Sequence, residues 1–165
     1  MAKALLIGRK EMVRYTPISG NIDTDKIIQY IEIAQDVHIQ QLLGTDLLEK
    51  LQADIVANSL AAPYSKVAAL VKPVLAQYAF IEFLPFSIYT VGNKGVFKHT
   101  AENAVDITHN EMAALKEAAR DTAQFYAKRL HDYLCAHSNE YPEYTSNTEE
   151  DINPTRRAPF GGWNI

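Results

Sequence analysis

The stretch from residue 21 to residue 51 has the most regular pattern of apolar and polar positions in the chain. Between residues 24 and 43, apolar residues occupy most of the positions outside one narrow polar stripe. The stripe is formed by residues at spacings of three and four: Asp25, Gln29, Glu32, Asp36 and Gln40. This pattern predicts a helix from about Thr24 to Leu43 that is buried on several sides. Two interpretations stay open: the helix contacts a second subunit as well as its own core, or it is the central helix of a monomer.

Gly44 marks the predicted end of this helix, because glycine readily adopts the left-handed conformation found at helix C-termini. Asn21 or Asp23 is the expected N-cap of the helix. Thr45 is the expected N-cap of a second helix, which covers residues 46 to about 58. The stretch is therefore interpreted as two helices joined by a tight glycine corner.

A third helical region is predicted from Tyr64 to Tyr89, with kinks at Pro73 and Pro85 because each proline removes a backbone donor. It overlaps the most apolar window of the chain, residues 67–91. Charged residues interrupt that window, and a charge near the centre of a membrane span is costly. We therefore expect a buried core helix rather than a membrane span.

The last long helix is predicted to run to about His137, with Thr108 or Asn110 as its cap. Along it, apolar side chains are spaced 3, 4, 4, 3, 4 and 3 residues apart: Met112, Leu115, Ala119, Ala123, Tyr126, Leu130 and Tyr133. Such spacing is typical of a helix-packing seam.

Shorter extended segments are predicted around these helices. Residues 4–7 (Ala-Leu-Leu-Ile) are expected to form a short strand within an extended lead. Residues 92–95 (Gly-Asn-Lys-Gly) are expected to form a hairpin turn, since they lack the length and the following Lys-Ser/Thr of a phosphate-binding loop. The predicted fold class is mainly α: a small bundle of four main helices, with a short β-hairpin or extended segment and long extended terminal arms.

The composition changes after residue 138, where acidic residues and prolines such as Pro142 disfavour regular structure. We therefore predict a helical domain over residues 1–138 and an extended C-terminal arm over residues 139–165. The arm ends in aromatic and glycine residues that a purely solvating tail would not need. We expect it to bind its own domain or a neighbouring protein through Arg156, Arg157, Pro159, Phe160, Gly161, Gly162 and Trp163.

Composition narrows the function classes. The 165 residues suit one domain, and the net charge of −4 argues against nucleic-acid binding as the primary task. The single cysteine, Cys135, cannot form an internal disulfide, which indicates a reducing compartment. We expect it to be a buried, inert thiol.

Few residues suggest metal binding or catalysis. The spacings of the histidines are not interpreted as those of a metal site, so neither a metal nor another cofactor is predicted. His38 lies on the apolar side of the first helix and is interpreted as a packed or interface histidine. Glu82, an acid in a strongly apolar helix, is interpreted as part of a buried or inter-subunit ion pair, with an acid–base role as the alternative. The candidate contacts between subunits are Ile31, His38, Glu82 and Phe125, and no catalytic residue is predicted.

The order of several short motifs resembles the helical head–tail connector (adaptor) proteins of tailed bacteriophages. The resemblance covers residues 21 to 142 in order, with a short lead before it. The motifs are Glu11–Tyr15 (EMVRY), Asn21–Asp23 (NID), Ala34-Gln35, Leu43-Gly44, Gly95-Val96, Tyr133-Leu134 and Tyr141-Pro142.

The resemblance implies a structural virion protein and not an enzyme. Such adaptors form rings, typically of roughly twelve copies, beneath the portal protein. The implied partners are further copies of the chain, the portal protein, and tail or further adaptor proteins. Double-stranded DNA would only pass through the channel, and no membrane is involved. The implied location is the head–tail junction of the virion, after assembly in the host cytoplasm.

Two other interpretations remain. In the first, the chain is a cytoplasmic helical assembly adaptor or chaperone that binds a partner through its tail and is absent from the finished particle. In the second, it is a small enzyme that uses Glu82 with one of the histidines. Detection of the chain in purified virions would exclude the adaptor or chaperone. A Glu82→Gln variant with intact assembly and infectivity would argue against the enzyme.

Overall fold

The computed structural model describes residues 3–93, 95–98, 107–146 and 151–155. It confirms the mainly α class, the four main helices and the hairpin. In chain order the elements are α1 (Arg9–Tyr15), α2 (Thr24–Ala34), a π-helical segment (Gln35–Ile39), α3 (Gln40–Leu43), α4 (Thr45–Val56), α5 (Tyr64–Phe83), a 3-10 turn (Leu84–Phe86), β1 (Tyr89–Gly92), β2 (Gly95–Lys98), α6 (His109–Ala136), a second 3-10 turn (Ser138–Glu140) and α7 (Pro142–Thr145). Strands β1 and β2 pair antiparallel, with Tyr89 opposite Lys98.

Helix α5 is the central helix of the fold and packs against α1, α2 and α6. Pro73 lies inside it without ending it. The helix ends at Phe83, earlier than expected, and Pro85 lies in the 3-10 turn that follows. By length and composition the run Tyr64–Phe86 would suit a membrane span, but 67% of its most apolar window is buried inside the protein. That burial is what the sequence predicted for a core helix.

The predicted helix from Thr24 to Leu43 is present as α2, the π-helical segment and α3. One side of this run is buried in the core and contains Ile27, Ile31, Ala34 and Ile39. Three apolar side chains remain exposed, by 44% for Ile28, 44% for Ile33 and 46% for Val37. The run is therefore not the central helix, and part of its apolar surface has no partner within the described protomer.

The predicted strand at residues 4–7 is wrong. Its backbone groups form hydrogen bonds with side chains and not with a neighbouring strand. The buried Gln35 accepts a hydrogen bond from the Leu6 N–H at 2.9 Å and donates one to the Ala4 carbonyl at 3.0 Å. Gln52 donates to the same Ala4 carbonyl at 3.0 Å. The lead is also not extended throughout, since α1 forms within it.

Replacing Gln35 with leucine will lower the free energy of unfolding by about 1–3 kcal/mol, because the buried Leu6 N–H loses its acceptor. Urea denaturation followed by circular dichroism measures this. The matched control is Gln29→Leu, at an exposed position on α2, which should change stability by less than about 0.5 kcal/mol. Equal losses in the two variants would contradict this role for Gln35.

Helix α6 begins as predicted, with Thr108 as its N-cap. Thr108 Oγ1 accepts from the Glu111 N–H at 3.3 Å, and Glu111 Oε2 accepts from the Thr108 N–H at 2.8 Å, which forms a capping box. The predicted seam is correct only in part, since Leu115 is 43% exposed. Three members of the seam are buried as predicted, Ala119, Ala123 and Leu130, and two residues outside it, Ala127 and Leu134, are buried beside them.

The segment after residue 138 differs from the extended arm that was expected. Pro142 does not prevent regular structure but begins α7, because a proline suits the first turn of a helix. Tyr141 and Tyr144 are buried in the same core as α5 and α6. Residues 139–145 therefore belong structurally to the helical domain.

Candidate assembly surfaces

Two of the candidate contact residues pair with each other inside the protomer. His38 Nε2 lies 3.0 Å from Glu82 Oε1, and both side chains are half-buried. The His38 ring stacks on Tyr78, with 4.0 Å between ring centroids, and burial raises the pKa of the Tyr78 hydroxyl. This cluster joins the π-helical segment to α5. Glu82 therefore has a hydrogen-bonding partner within its own chain.

The cluster offers limited chemistry. A histidine beside a carboxylate can exchange a proton with a bound molecule, but neither His38 nor Glu82 lines the large cleft described below. Among the described residues, no group of three or more His, Cys, Asp or Glu side chains could hold a metal ion. The acid–base role of Glu82 stays a prediction.

The remaining two candidate contacts differ sharply in exposure. Ile31 is only 1% exposed, so its expected contact with another subunit is wrong: the core of its own protomer covers it. Phe125 is 63% exposed. It follows the fully buried Ala123 by two residues, which places it about 200° around α6 from the packed side.

The predicted tail contacts, from Arg156 to Trp163, lie outside the described residues. The segment just before them, residues 151–155, is described, and we call it the C-terminal clamp. The Thr45 N–H donates to the Ile152 carbonyl at 3.0 Å, and the Thr155 N–H donates to the Gln41 carbonyl at 2.7 Å. The clamp thus fixes the C-terminal segment to the corner between α3 and α4.

The corner itself differs from the prediction in two ways. Gly44 has φ 79° and ψ 162°, a positive-φ extended conformation and not the left-handed helical one, although it is still essentially restricted to glycine. Thr45 is the first residue of α4 and not its N-cap. Its hydroxyl instead donates to Asp151 Oδ2 at 3.0 Å, and Gln40 Nε2 donates to the same carboxylate oxygen at 3.0 Å.

A cleft of about 770 Å³ lies beside the clamp. Apolar side chains of α4, including Leu48, Ala53 and Val56, form part of its lining. The charged residues that line it are one lysine and three acids, a net charge of −2: Lys3, Asp36, Glu49 and Asp151. The cleft therefore combines an apolar surface with an acidic one.

A group of tyrosines holds α7 to the bundle. The Tyr64 hydroxyl donates to Glu143 Oε2 at 2.8 Å. The Tyr141 hydroxyl donates to the Pro63 carbonyl at 3.2 Å and lies 3.1 Å from the Tyr133 hydroxyl. Burial, and then the hydrogen bond to Glu143, raise the pKa of Tyr64 to about 12.

This raised pKa predicts a specific loss of stability in alkali. The pKa of Tyr64 rises from 10.0 to about 12 on folding, so its stabilising effect is complete below pH 10 and is lost as the pH rises through 12. The free energy of unfolding should fall more steeply over this range in the wild type than in Tyr64→Phe. Tyr89→Phe, at a position 46% exposed, is the control and should follow the wild type. Parallel curves for the wild type and Tyr64→Phe would refute the assignment.

Cys135 is exposed rather than buried as predicted. It lies near the C-terminal end of α6, and its Sγ is 3.6 Å from His131 Nε2, one helical turn earlier. The seam that faces the core runs through Leu130 and Leu134, which leaves Cys135 on a different side of the helix.

The described part of the chain is a small, mainly α protein with exposed apolar side chains and a clamped C-terminal segment. The chain belongs to a family of unknown function, DUF6712, whose model matches residues 39–154. The matched range contains Gln41, Thr45 and residues 151–154 of the clamp, and it ends one residue before Thr155. No curated protein and no solved structure matches the chain.

Proposed function

We propose that this protein is a structural virion protein that forms a ring at the portal–tail junction of a tailed bacteriophage, extends the DNA channel and docks tail components. The observation that carries the proposal is the presence of exposed apolar side chains on two helical segments of the protomer. Ile28 and Ile33 on α2 and Val37 in the π-helical segment make up one set, the α2 patch, and Phe125 on α6 makes up the other, the α6 patch. The resemblance of the motif order to connector proteins gives these patches their proposed context.

The distribution of the apolar side chains supports a ring. A closed ring built from head-to-tail contacts needs two different patches on each subunit, one for each neighbour. Helices α2 and α6 both pack on α5, and each carries exposed apolar side chains of its own. Contact between the α2 patch of one copy and the α6 patch of the next would bury both.

The charge of the chain is compatible with the proposed channel. The net charge is −4, and a surface of negative charge repels the phosphates of passing DNA. A protein that had to grip DNA would present a basic surface.

Mass measurement of the chain mixed with portal protein, together with a search for the chain in purified particles, tests the proposal. We expect the chain in the particles and a defined number of copies on the portal ring. Some rings form only on the portal, so a monomer in isolation is compatible with the proposal. A chain that is absent from particles and never joins a portal ring would refute it.

Phe125 offers a sharper test of the proposed interface. Replacing it with serine should lower incorporation into the portal complex by at least about tenfold, as expected for an aromatic residue at the centre of an interface. The melting temperature should barely change because the side chain is exposed. Val13→Ser, at a position on α1 that is 38% exposed, is the control and should assemble normally. Normal incorporation of the Phe125 variant would show that this residue is not part of the interface.

A second candidate function is a cytoplasmic assembly adaptor or chaperone that is not retained in the virion. The clamp favours this second function, because the clamp anchors residues 151–155 and so holds the start of a tail that can bind a partner. The particle measurement separates the two, since only the ring subunit stays in the finished virion.

A further inference from the structure

We propose that the acidic cleft beside the clamp binds the C-terminal tail, residues 156–165, of a second copy of the chain. The proposal rests on the ring proposal to the extent that copies must meet. It names the site through which they hold each other. Three observations carry it: the composition of the cleft, the sequence of the tail, and the position where the described chain ends.

The cleft and the tail are complementary in charge and polarity. The charged residues that line the cleft carry a net charge of −2. Asp36 pairs with Lys3, and Glu49 is an exposed carboxylate of the lining. The tail begins with Arg156-Arg157, and guanidinium groups form paired hydrogen bonds with carboxylates.

The apolar parts also match. The cleft presents Leu48, Ala53 and Val56 of α4, and Val56 is 65% exposed. Phe160 and Trp163 follow the two arginines in the tail. A volume of about 770 Å³ suits an aromatic anchor with its flanking residues.

The path of the clamp indicates that the cleft is occupied by the tail of another copy and not by the chain's own tail. Asp151 lines the cleft, but Thr155 is already bonded to the carbonyl of Gln41, a residue that does not line it. The chain has thus left the cleft before its tail begins. Ten residues span at most about 33–36 Å when extended, which is enough to reach an adjacent small domain.

Cross-linking of the full-length protein tests the site. In a Cys135→Ser background, Ala57→Cys places one thiol in the lining of the cleft, and Asn164→Cys places one in the tail without replacing either aromatic residue. A short bismaleimide should join them between chains and give a ladder of dimers and larger species on a denaturing gel. Val13→Cys with Asn164→Cys is the control, with a similar pair of thiols but one of them outside the cleft.

The other outcomes would overturn the proposal. Cross-links confined to single chains would show that the cleft binds its own tail. Yields no higher than the Val13 control, both in concentrated protein and in any particle that contains it, would show that the tail binds elsewhere, such as on the portal or a tail protein.

Charge reversal provides an independent check. Glu49→Arg should lower the yield of the ladder by at least about fivefold, because an attractive charge pair becomes a repulsive one. Combining it with Arg156→Glu and Arg157→Glu should restore much of the yield. An unchanged ladder in Glu49→Arg would contradict the role of charge in the site.

The result is separable from the ring proposal. A ladder from a chain that is absent from particles would support the tail site and refute the ring. A chain found in particles whose thiols do not cross-link would support the ring and refute the tail site.

Discussion

Replacing Tyr141 with alanine will lower the free energy of unfolding by about 3–5 kcal/mol, the range for loss of a large buried aromatic side chain. Tyr141 is fully buried. Its ring packs edge-on against Tyr64 with 5.7 Å between centroids, and its hydroxyl donates to the Pro63 carbonyl at 3.2 Å. Alanine would leave a cavity and remove one of two hydrogen bonds to that carbonyl, which also accepts from the Lys66 N–H at 3.0 Å.

Urea denaturation followed by circular dichroism measures the loss. Tyr141→Phe keeps the ring and should cost only about 1 kcal/mol, the net value of the lost hydrogen bond. Tyr89→Ala, at a position 46% exposed, should cost less than the Phe variant. A loss below about 1 kcal/mol for Tyr141→Ala would mean that the segment around it is peripheral to the core.

The long helices could be predicted because their signals are local. The polar stripe from Asp25 to Gln40 marks one side of the first helix. Thr108 and Glu111 mark the start of α6, since both partners of the capping box lie within one turn. Proline was a weaker guide: Pro142 reads as a helix breaker, yet at the start of a turn it favours a helix.

The errors arise where distant side chains decide the local structure. Residues 4–7 have the composition of a strand, but Gln35, 29 residues after Leu6, satisfies their backbone. Thr45 has the composition of a helix cap, but Asp151, 106 residues away, binds its hydroxyl. No sequence pattern among neighbouring residues indicates such long-range contacts. On α6 the predicted seam is displaced only in part: Ala119, Ala123 and Leu130 are buried as predicted, while Leu115 is exposed and Ala127 and Leu134, which the predicted spacing left out, are buried.

His38 and Glu82 were predicted as separate candidate contacts and not as a pair. His38 and Glu82 each stood out as a polar residue among apolar ones, which is a signal of a buried or paired side chain. Their separation of 44 residues left the pairing open, and the structure supplies it. Phe125 was predicted as a candidate contact, but its exposed position could be established only once the packed side of α6 was known.

Replacing Gly44 with alanine will lower the free energy of unfolding by about 2–4 kcal/mol, through backbone strain and a steric clash together. Gly44 has a positive φ of 79°, which residues with a Cβ rarely adopt. A Cβ at this position would lie 2.7 Å from Pro154 Cδ and 3.2 Å from the Pro154 nitrogen. The substitution therefore strains the corner and pushes the C-terminal clamp away from it.

The two causes can be separated with one more variant. Adding Pro154→Ala to Gly44→Ala removes the closest contact and should restore the steric part of the loss but not the part due to φ. Gly20→Ala is the control, because a Cβ there would meet no atom of the described residues within 4 Å and its φ is not positive; it should change stability by less than about 0.5 kcal/mol. If Gly44→Ala were as mild as Gly20→Ala, neither the φ nor the clamp would constrain the corner. Complete rescue by Pro154→Ala would instead assign the whole effect to the clamp.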